Sequence, residues 1–309
     1  MGQYKCIIPS GYDPSDVRQR TIVNSLIEHL DFAMERLENE YVGIFLQGSQ
    51  NYELDTPSSD VDTWLIVLPT MDELIFGKEG VSREILLPSG EHCCVKDIRQ
   101  MFNMFRKQNI NSLEALFTRW RLMNPCYAGV FSLALTNAEK IAHYDNYRFI
   151  DATIGMMRER NRKLTRDLDG HEYDGKCLSY VYRLHEFLIR YMINGESFGD
   201  CLVSKRRELL LAAKEHRYTR SCAIQTANSL IDEVLKFEQS YKDSTPHIVD
   251  PSVVDILNSV VSETISLYIE NNISKYRRNE GMYENSCGLR RIASGDARVQ
   301  TFRARSVEL

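Results

Sequence analysis

Residues 43–68 limit the possible folds of this chain more than any other stretch. They read GIFLQGSQNYELDTPSSDVDTWLIVL, which predicts a buried strand, a Gly-Ser turn, about ten residues of short helix and loop, and a second strand. The second strand begins with Asp60 and Asp62, whose side chains share one face because strand side chains alternate. Two carboxylates on one face of an apolar strand repel each other and are partly desolvated. A divalent cation relieves both costs, and oxygen ligands favour magnesium, or manganese in its place.

The turn before these carboxylates has the features of a phosphate-binding loop. Gly48 has no Cβ, so the backbone can turn tightly and approach a ligand closely. Ser49 follows at a predicted helix start, where free N–H groups and a hydroxyl bind phosphate oxygens. Alone, Asp60 and Asp62 would be read as the polar start of a strand. Together with the turn they predict an anion site beside a metal site, as phosphoryl or nucleotidyl transfer requires.

Asp97 is a third carboxylate of interest. Two short strands, at residues 83–87 and 92–96, flank a Pro/Gly turn and predict a hairpin that ends just before Asp97. If the second of these strands lies beside the Asp60 strand, Asp97 would complete a cluster of three carboxylates. It would then be a ligand of one or two cations, or the base that accepts a hydroxyl proton. Asp97 could instead cap the helix that starts at Ile98.

The remaining residues are mostly predicted to be helical. One amphipathic helix is expected before the first strand, at 17–37, and two after the hairpin, at 98–107 and 112–121. Beyond Pro125 the strand signals nearly vanish, and six further helices are expected at 128–143, 147–166, 176–194, 204–214, 219–240 and 252–275. The fold class is therefore α+β. We expect a mixed sheet with helices in residues 1–124, an all-helical domain in 125–274, and a polar, Arg-rich, flexible tail in 275–309.

Composition excludes several classes of protein. The chain is 43% hydrophobic and 26% charged, as soluble globular proteins are, and its net charge of -5 argues against binding to nucleic acid through bulk charge alone. No apolar run approaches the roughly 18 residues of a membrane span, so we expect no membrane association. The eight cysteines show no metal-binding spacing. We expect reduced thiols and a cytoplasmic location.

The signature residues resemble a known superfamily. Gly48-Ser49, the spacer with Asn51-Tyr52, and Ser59-Asp60-Val61-Asp62 look like the signature of the DNA polymerase beta-like nucleotidyltransferases. The spelling GSQNYELDTPSSDVD is closest to the bacterial and phage "predicted nucleotidyltransferase" branch. In that branch the third carboxylate follows a short strand, as Asp97 does here. An Asn-rich helix start with Leu-Glu-x-Leu-Phe comes next, as in residues 109–117.

The resemblance continues in the helical half. The branch has a Lys there, often a His four residues later, and an Arg seven residues after the Lys. This chain has Lys176 and Arg183, with Tyr180 in place of the His, and Glu53 where a Gly commonly follows the Tyr of the signature. Seven residues are about two helical turns, so Lys176 and Arg183 can share one face and bind a triphosphate. The alternative is a solvated basic stripe that includes Arg190.

The resemblance implies a metal-dependent nucleotidyltransferase with its active site between the sheet and the helical domain. Asp60, Asp62 and Asp97 would be the catalytic and metal-binding residues. ATP or another nucleoside triphosphate would be bound by Gly48, Ser49, Asn51, Lys176, Tyr180 and Arg183. An acceptor hydroxyl would attack the α-phosphorus in line and expel pyrophosphate.

The sequence leaves the acceptor open. It would be a protein side chain, a tRNA end or a small hydroxylated molecule. Two alternative functions also stay open. The first is a toxin-like transferase that modifies tRNA or a protein, and the second is a non-catalytic nucleotide- or RNA-binding module that kept the fold.

Overall fold

The computed structural model describes residues 4–56, 59–166 and 170–286, with side chains as far as residue 273. The chain divides into two compact units, Met1–Leu267 and Tyr268–Leu309. Every candidate site residue named above lies in the first unit.

Five strands form one mixed sheet in the order β3-β4-β2-β1-β5. Their bounds are β1 Tyr41–Gln47, β2 Asp62–Val67, β3 Ser82–Leu86, β4 His92–Asp97 and β5 Arg121–Met123. β2 and β4 are parallel, and the other neighbouring pairs are antiparallel. The first four strands were predicted from their apolar runs. The fifth was not: its first residue was assigned to the end of a helix.

Helices account for most of the remaining described residues. They are α1 Val17–Met34, α2 Met71–Ile75, α3 Ile98–Arg106, α4 Ile110–Phe117, α5 Ala128–Thr136, α6 Ala138–Ala142, α7 Asn146–Lys163, α8 Gly175–Leu188, α9 Phe198–Leu202, α10 Arg207–Lys214, α11 Arg220–Ser244 and α12 Pro251–Ser286. A π-helical turn, Ile189–Ile193, extends α8. The α+β class is confirmed, and beyond β5 the described residues form helices without strands.

The last helix, α12, continues past residue 275, where the sequence predicted the start of a flexible tail. Residues 287–309 of that tail lie outside the described part of the chain. The segment Pro251–Ile273 is long and apolar enough to cross a membrane by length and composition alone. Core helices of soluble proteins pass the same test, and Val253, Leu257 and Val260 of this segment are buried within the first unit.

The two faces of the sheet have different neighbours. On one face, Ile44, Leu65 and Val95 belong to a buried cluster with residues of α1 such as Leu26. The opposite face carries Phe45 and Trp64 and packs against helices that follow the sheet; the Phe45 ring centroid is 5.5 Å from that of Phe131 in α5. Because strand side chains alternate, Asp62 shares this second face with Trp64. Asp62 therefore stands on the face that the later helices cover, and Asp60 lies two residues before the start of the strand.

Close backbone packing joins α8 to α10. A Cβ atom added to Gly175, the first residue of α8, would lie 2.5 Å from the carbonyl oxygen of Lys214 and 2.8 Å from that of Ala213. Only a residue without a side chain allows this approach. The start of α8 and the end of α10 are thereby fixed to each other.

This packing can be tested with two glycine substitutions. We expect Gly175→Ala to lower the free energy of unfolding by about 1–3 kcal/mol, because the added methyl group overlaps backbone atoms that cannot move independently. The matched control is Gly155→Ala in α7, where a Cβ would meet no atom within 4 Å. Removing a helix-interior glycine there should raise the free energy of unfolding by about 0.5–1 kcal/mol. Urea denaturation measures both, and equal effects of the two substitutions would contradict the packing argument.

Candidate active site

The signature turn is built around Gly48, whose φ of +87° places it in the left-handed region that glycine adopts without strain. The N–H of Asn51 donates to the Gly48 carbonyl at 3.0 Å, and the N–H of Tyr52 donates to that of Ser49 at 3.2 Å. The short helix predicted after Ser49 is wrong, because the described residues between β1 and β2 form turns instead. No helix N-terminus is therefore available there for a phosphate.

Glu114 of α4 accepts hydrogen bonds from this turn. Its carboxylate is fully buried and accepts from the Gly48 N–H at 3.0 Å, from Asn51 Nδ2 at 2.6 Å and from the Tyr52 hydroxyl. The Gly48 N–H, predicted to bind phosphate, donates to Glu114 instead. Ser49 remains the predicted phosphate contact of the turn. Burial raises the pKa of Glu114 to about 7, although the nearby Arg183 and the three donors favour its charged form.

The structure places the side chain of Asn51, predicted as a nucleotide contact, inside the turn rather than in the cleft. The Asn51 amide donates to the Leu46 carbonyl at 2.8 Å and to Glu114, and its Oδ1 accepts from the Thr118 hydroxyl at 2.8 Å. These bonds occupy both ends of the amide, and Asn51 does not line the cleft described below. Its role is to shape the turn.

Glu53 takes a left-handed backbone conformation, with φ of +57°. Glycine adopts this conformation at the least cost, so a glutamate here carries some backbone strain. The carbonyl of Glu53 accepts from Arg207 Nε of α10 at 2.8 Å. The helical half thus holds the turn in this conformation.

Asp60 and Asp62 line a cleft of about 540 Å³ between the sheet and the helices of the first unit. Asp60 is exposed and Asp62 is half-buried at the start of β2. Burial, and then repulsion from Asp60, raise the pKa of Asp62 to about 6. The two charges are thus close enough to disfavour each other, as the sequence predicted.

A second buried network supports this carboxylate pair from the α1 side. Val61 N–H donates to Glu91 Oε1 at 3.0 Å, and the other oxygen of Glu91 lies 3.2 Å from His29 Nε2. His29 Nδ1 is 3.0 Å from the hydroxyl of Thr63. Burial lowers the pKa of His29, against the pull of Glu91. Val61 and Thr63 flank Asp62, so this network fixes the backbone that presents it.

The predicted position of Asp97 in the cleft is wrong. β2 and β4 are parallel, and Asp97 pairs with Val67 at the far end of β2. Its backbone therefore stands about 16 Å from that of Asp62, at ~3.3 Å per residue. Asp97 also alternates onto the α1 face of the sheet. Its buried carboxylate caps α3 through Arg99 N–H at 2.7 Å and pairs with the Arg99 guanidinium at 2.8 Å, as the capping alternative proposed.

The helical wall of the cleft presents Lys176, Tyr180 and Arg183, all on α8, as their spacing predicted. Lys176 is exposed, and the Tyr180 hydroxyl donates to Asn111 Oδ1 at 2.8 Å. Arg183 is only 3% exposed, and its guanidinium carbon lies 3.8 Å from the centroid of the Tyr52 ring. Within the described residues, neither terminal nitrogen of Arg183 has a hydrogen-bond partner. The position of Arg183 excludes the solvated-stripe alternative for this residue.

Two further cations of this wall were not predicted. Lys214 of α10 lines the cleft, and its Nζ is 3.4 Å from the Leu54 carbonyl and 3.4 Å from the Ser59 hydroxyl. Burial, and then repulsion from Lys176, lower the pKa of Lys214. Arg160 of α7 also lines the cleft, with its guanidinium carbon 4.8 Å from the Tyr180 ring centroid. Neither has a local sequence signal, because each reaches the cleft through the packing of a separate helix.

The carboxylates of Asp60 and Asp62 are ligands of the kind that magnesium has in nucleotide sites. Magnesium keeps several waters and is bound in nucleotide sites by one or two carboxylates together with substrate phosphates, and Asp60 and Asp62 provide such a pair. In the described part of the chain, no three His, Cys, Asp or Glu side chains are grouped closely enough to hold a metal by themselves.

No protein-family model matches the chain, and no curated protein is significantly similar to it.

The buried Glu114 predicts a pH dependence of stability. Its pKa in the folded chain is about 7, against an ordinary 4.5, so the folded state keeps a proton that the unfolded chain has lost. The contribution of Glu114 is complete below about pH 4.5 and is lost as the pH rises to about 7. We expect the free energy of unfolding to fall by about 2 kcal/mol more in the wild type than in Glu114→Gln between pH 5 and pH 8. Urea denaturation of both proteins at both pH values measures this, and parallel pH profiles would contradict it.

Proposed function

We propose that this protein is a metal-dependent nucleotidyltransferase. It transfers a nucleoside monophosphate from a nucleoside triphosphate to an acceptor hydroxyl and releases pyrophosphate. The observation that carries the proposal is the pairing of two walls in one cleft. Asp62 at the start of β2 and Asp60 two residues before it share the cleft with Arg183 of α8. Arg183 is buried, and its two terminal nitrogens make no hydrogen bond within the described residues.

The terminal nitrogens of Arg183 favour an anionic ligand. A buried donor without a hydrogen-bond partner costs free energy. The charge of Glu114 and the Tyr52 ring compensate part of the buried charge of Arg183, and a phosphate oxygen would supply acceptors to the two nitrogens that have none in the described part of the chain. Lys176 and Lys214 line the same wall, so a ligand with several negative charges fits better than a single carboxylate.

Asp60 and Asp62 would hold magnesium, which neutralises phosphate charge in reactions of this class. The chain's own residues do the rest. Lys176, Arg183 and Lys214 bind the triphosphate, and the Ser49 hydroxyl contacts it from the turn. Tyr180, tied to Asn111, shapes the pocket between them. Such positioning and charge stabilisation supply most of the rate enhancement in phosphoryl chemistry.

The arrangement of strands supports a polymerase beta-like fold as the finer description. The signature turn connects two adjacent antiparallel strands, β1 and β2. Asp62 begins β2, Asp60 lies two residues before it, and the parallel strand β4 lies beside β2. A sheet domain that ends near residue 124 and a helical domain that follows it remain our proposal for the domain organisation. Asp97 departs from the expected pattern, so the residue that activates the acceptor must be another one.

The carboxylate pair gives the sharpest test of this function. We expect Asp60→Asn and Asp62→Asn each to lower label transfer from α-labelled triphosphate by at least about 100-fold, because the cation and the phosphates lose their anchor. Asp97→Asn is the matched control and should leave the activity of the folded protein within about threefold. Asp97→Asn should instead lower the free energy of unfolding, because it breaks the buried pair with Arg99.

The measurement uses each of the four triphosphates with cellular RNA and protein as the acceptor pool. Wild-type transfer in either the Asp60 or the Asp62 variant would refute the assignment, as would a loss in Asp97→Asn alone. Calorimetry separates the enzyme from a binding module. Triphosphate binding that needs magnesium and disappears in Asp62→Asn supports catalysis, and binding that is indifferent to metal supports the module.

Lys176 should affect nucleotide binding more than the chemical step. We expect Lys176→Met to weaken triphosphate affinity about tenfold, which corresponds to the loss of one charged contact. Lys236→Met is the matched control, because Lys236 is also an exposed helical lysine but lies outside the cleft. Fluorescence titration with a labelled triphosphate measures both, and equal affinities for the two variants would remove Lys176 from the site.

A further inference from the structure

The proposed reaction leaves part of the sheet wall unused. Glu84, His92 and Cys94 line the same cleft as Asp60 and Asp62, and they come from β3 and β4. None of these three was predicted as a site residue.

The register of the sheet places Glu84 on the catalytic face. Glu84 pairs with Cys94 across β3 and β4, and Cys94 pairs with Trp64 across β4 and β2. Paired residues project to the same face, so Glu84 shares the face of Trp64 and Asp62. Asp97, by contrast, alternates to the other face. Among the acidic residues of β3 and β4, Glu84 is the one that faces the cleft.

His92 lies beside the carboxylate of Glu84. The Nδ1 atom of His92 is 2.9 Å from Glu84 Oε1, an ion-pair distance, although Nδ1 makes no hydrogen bond within the described residues. Cys94 Sγ donates to the same oxygen at 3.9 Å. The side chain of Glu84 is 58% exposed, so the carboxylate is open to a ligand in the cleft.

Glu84 stands apart from the groups that would bind the nucleotide. β3 is two strands from β2, which separates their backbones by about 10 Å at ~4.8 Å per strand. The cations that suit phosphates belong to the helical wall, among them Arg183, whose terminal nitrogens make no hydrogen bond in the described part of the chain. A carboxylate on the sheet wall at this distance is suited to contact an uncharged hydroxyl.

We propose that Glu84 is the carboxylate that accepts the proton of the acceptor hydroxyl, and that His92 positions it. The inference rests on the proposed function. In this step the O–H bond of the acceptor breaks and its proton passes to Glu84. The acceptor oxygen bonds to the α-phosphorus, and the bond from that phosphorus to the pyrophosphate oxygen breaks, with the electron pair leaving on pyrophosphate. Because β3 is an edge strand, the acceptor approaches from the side of the cleft at β3.

The test separates acceptor activation from nucleotide binding. Glu84→Gln should lower transfer of α-label to the cellular acceptor pool by about 100-fold to 10,000-fold, the range of general-base catalysis. Its affinity for magnesium and the α,β-methylene analogue of the triphosphate, measured by calorimetry, should stay within twofold of wild type. Formate should restore part of the transfer in Glu84→Ala, because a small carboxylate can take the vacated position.

His92 has its own readout as a positioning residue. We expect His92→Gln to lower transfer about tenfold with unchanged analogue binding, and formate should not restore it. Glu79→Gln is the matched control, since Glu79 is exposed just before β3 but does not line the cleft. It should behave as wild type.

Three outcomes would overturn the proposal in different ways. Transfer by Glu84→Gln within threefold of wild type removes Glu84 from the reaction and leaves the proposed function intact. Equal losses of analogue binding and transfer assign Glu84 to the nucleotide site instead. If wild-type protein shows neither magnesium-dependent analogue binding nor transfer, the proposed function fails and the role of Glu84 fails with it.

Discussion

The candidate site depends on the hydrogen bonds that the buried carboxylate of Glu114 accepts. This carboxylate accepts hydrogen bonds from Gly48, Asn51 and Tyr52, so the turn between β1 and β2 is fixed to α4 as well as to the sheet. An isolated buried carboxylate would be strongly destabilising, and the three donors offset part of that cost. Arg183 offsets another part through charge. One residue outside the signature therefore sets both the conformation of the turn and the charge balance below the cleft.

Arg183, beside this network, has hydrogen-bond donors that no acceptor in the described residues uses. The three donors to Glu114 come from the signature turn, while the terminal nitrogens of Arg183 make no hydrogen bond within the described residues. A site optimised for stability alone would pair the guanidinium with the carboxylate directly. Buried polar groups that lack hydrogen-bond partners are concentrated at functional sites. The electrostatics of Glu114 and Arg183 thus favour an anion that binds from the cleft rather than a purely structural ion pair.

The sequence predicted what local patterns encode. Apolar runs predicted four strands, and helical spacing predicted most helices. Both Asp60 and Asp62 line the cleft, but β2 begins at Asp62, so Asp60 reaches the cleft from the segment before the strand rather than from a strand face. β5 was missed because three residues carry no period and are a strand only through pairing with β1. Asp97 was misplaced because the direction and register of β4 against β2 are not local properties. The contacts of Glu114 and Lys214 join elements far apart in the chain, so no spacing rule could find them.

The charge distribution argues for a polyanionic substrate more strongly than any single contact does. The chain carries a net charge of -5, yet one wall of the cleft gathers Lys176, Arg183 and Lys214. Burial, and then repulsion from Lys176, lower the pKa of Lys214, so these two lysines disfavour each other's charged form. A single negative charge relieves little of this repulsion, whereas a triphosphate places several charges between them. Under the proposed function, the carboxylate pair across the cleft would repel the same phosphates unless a cation lay between them, so the nucleotide and the metal would bind as one unit.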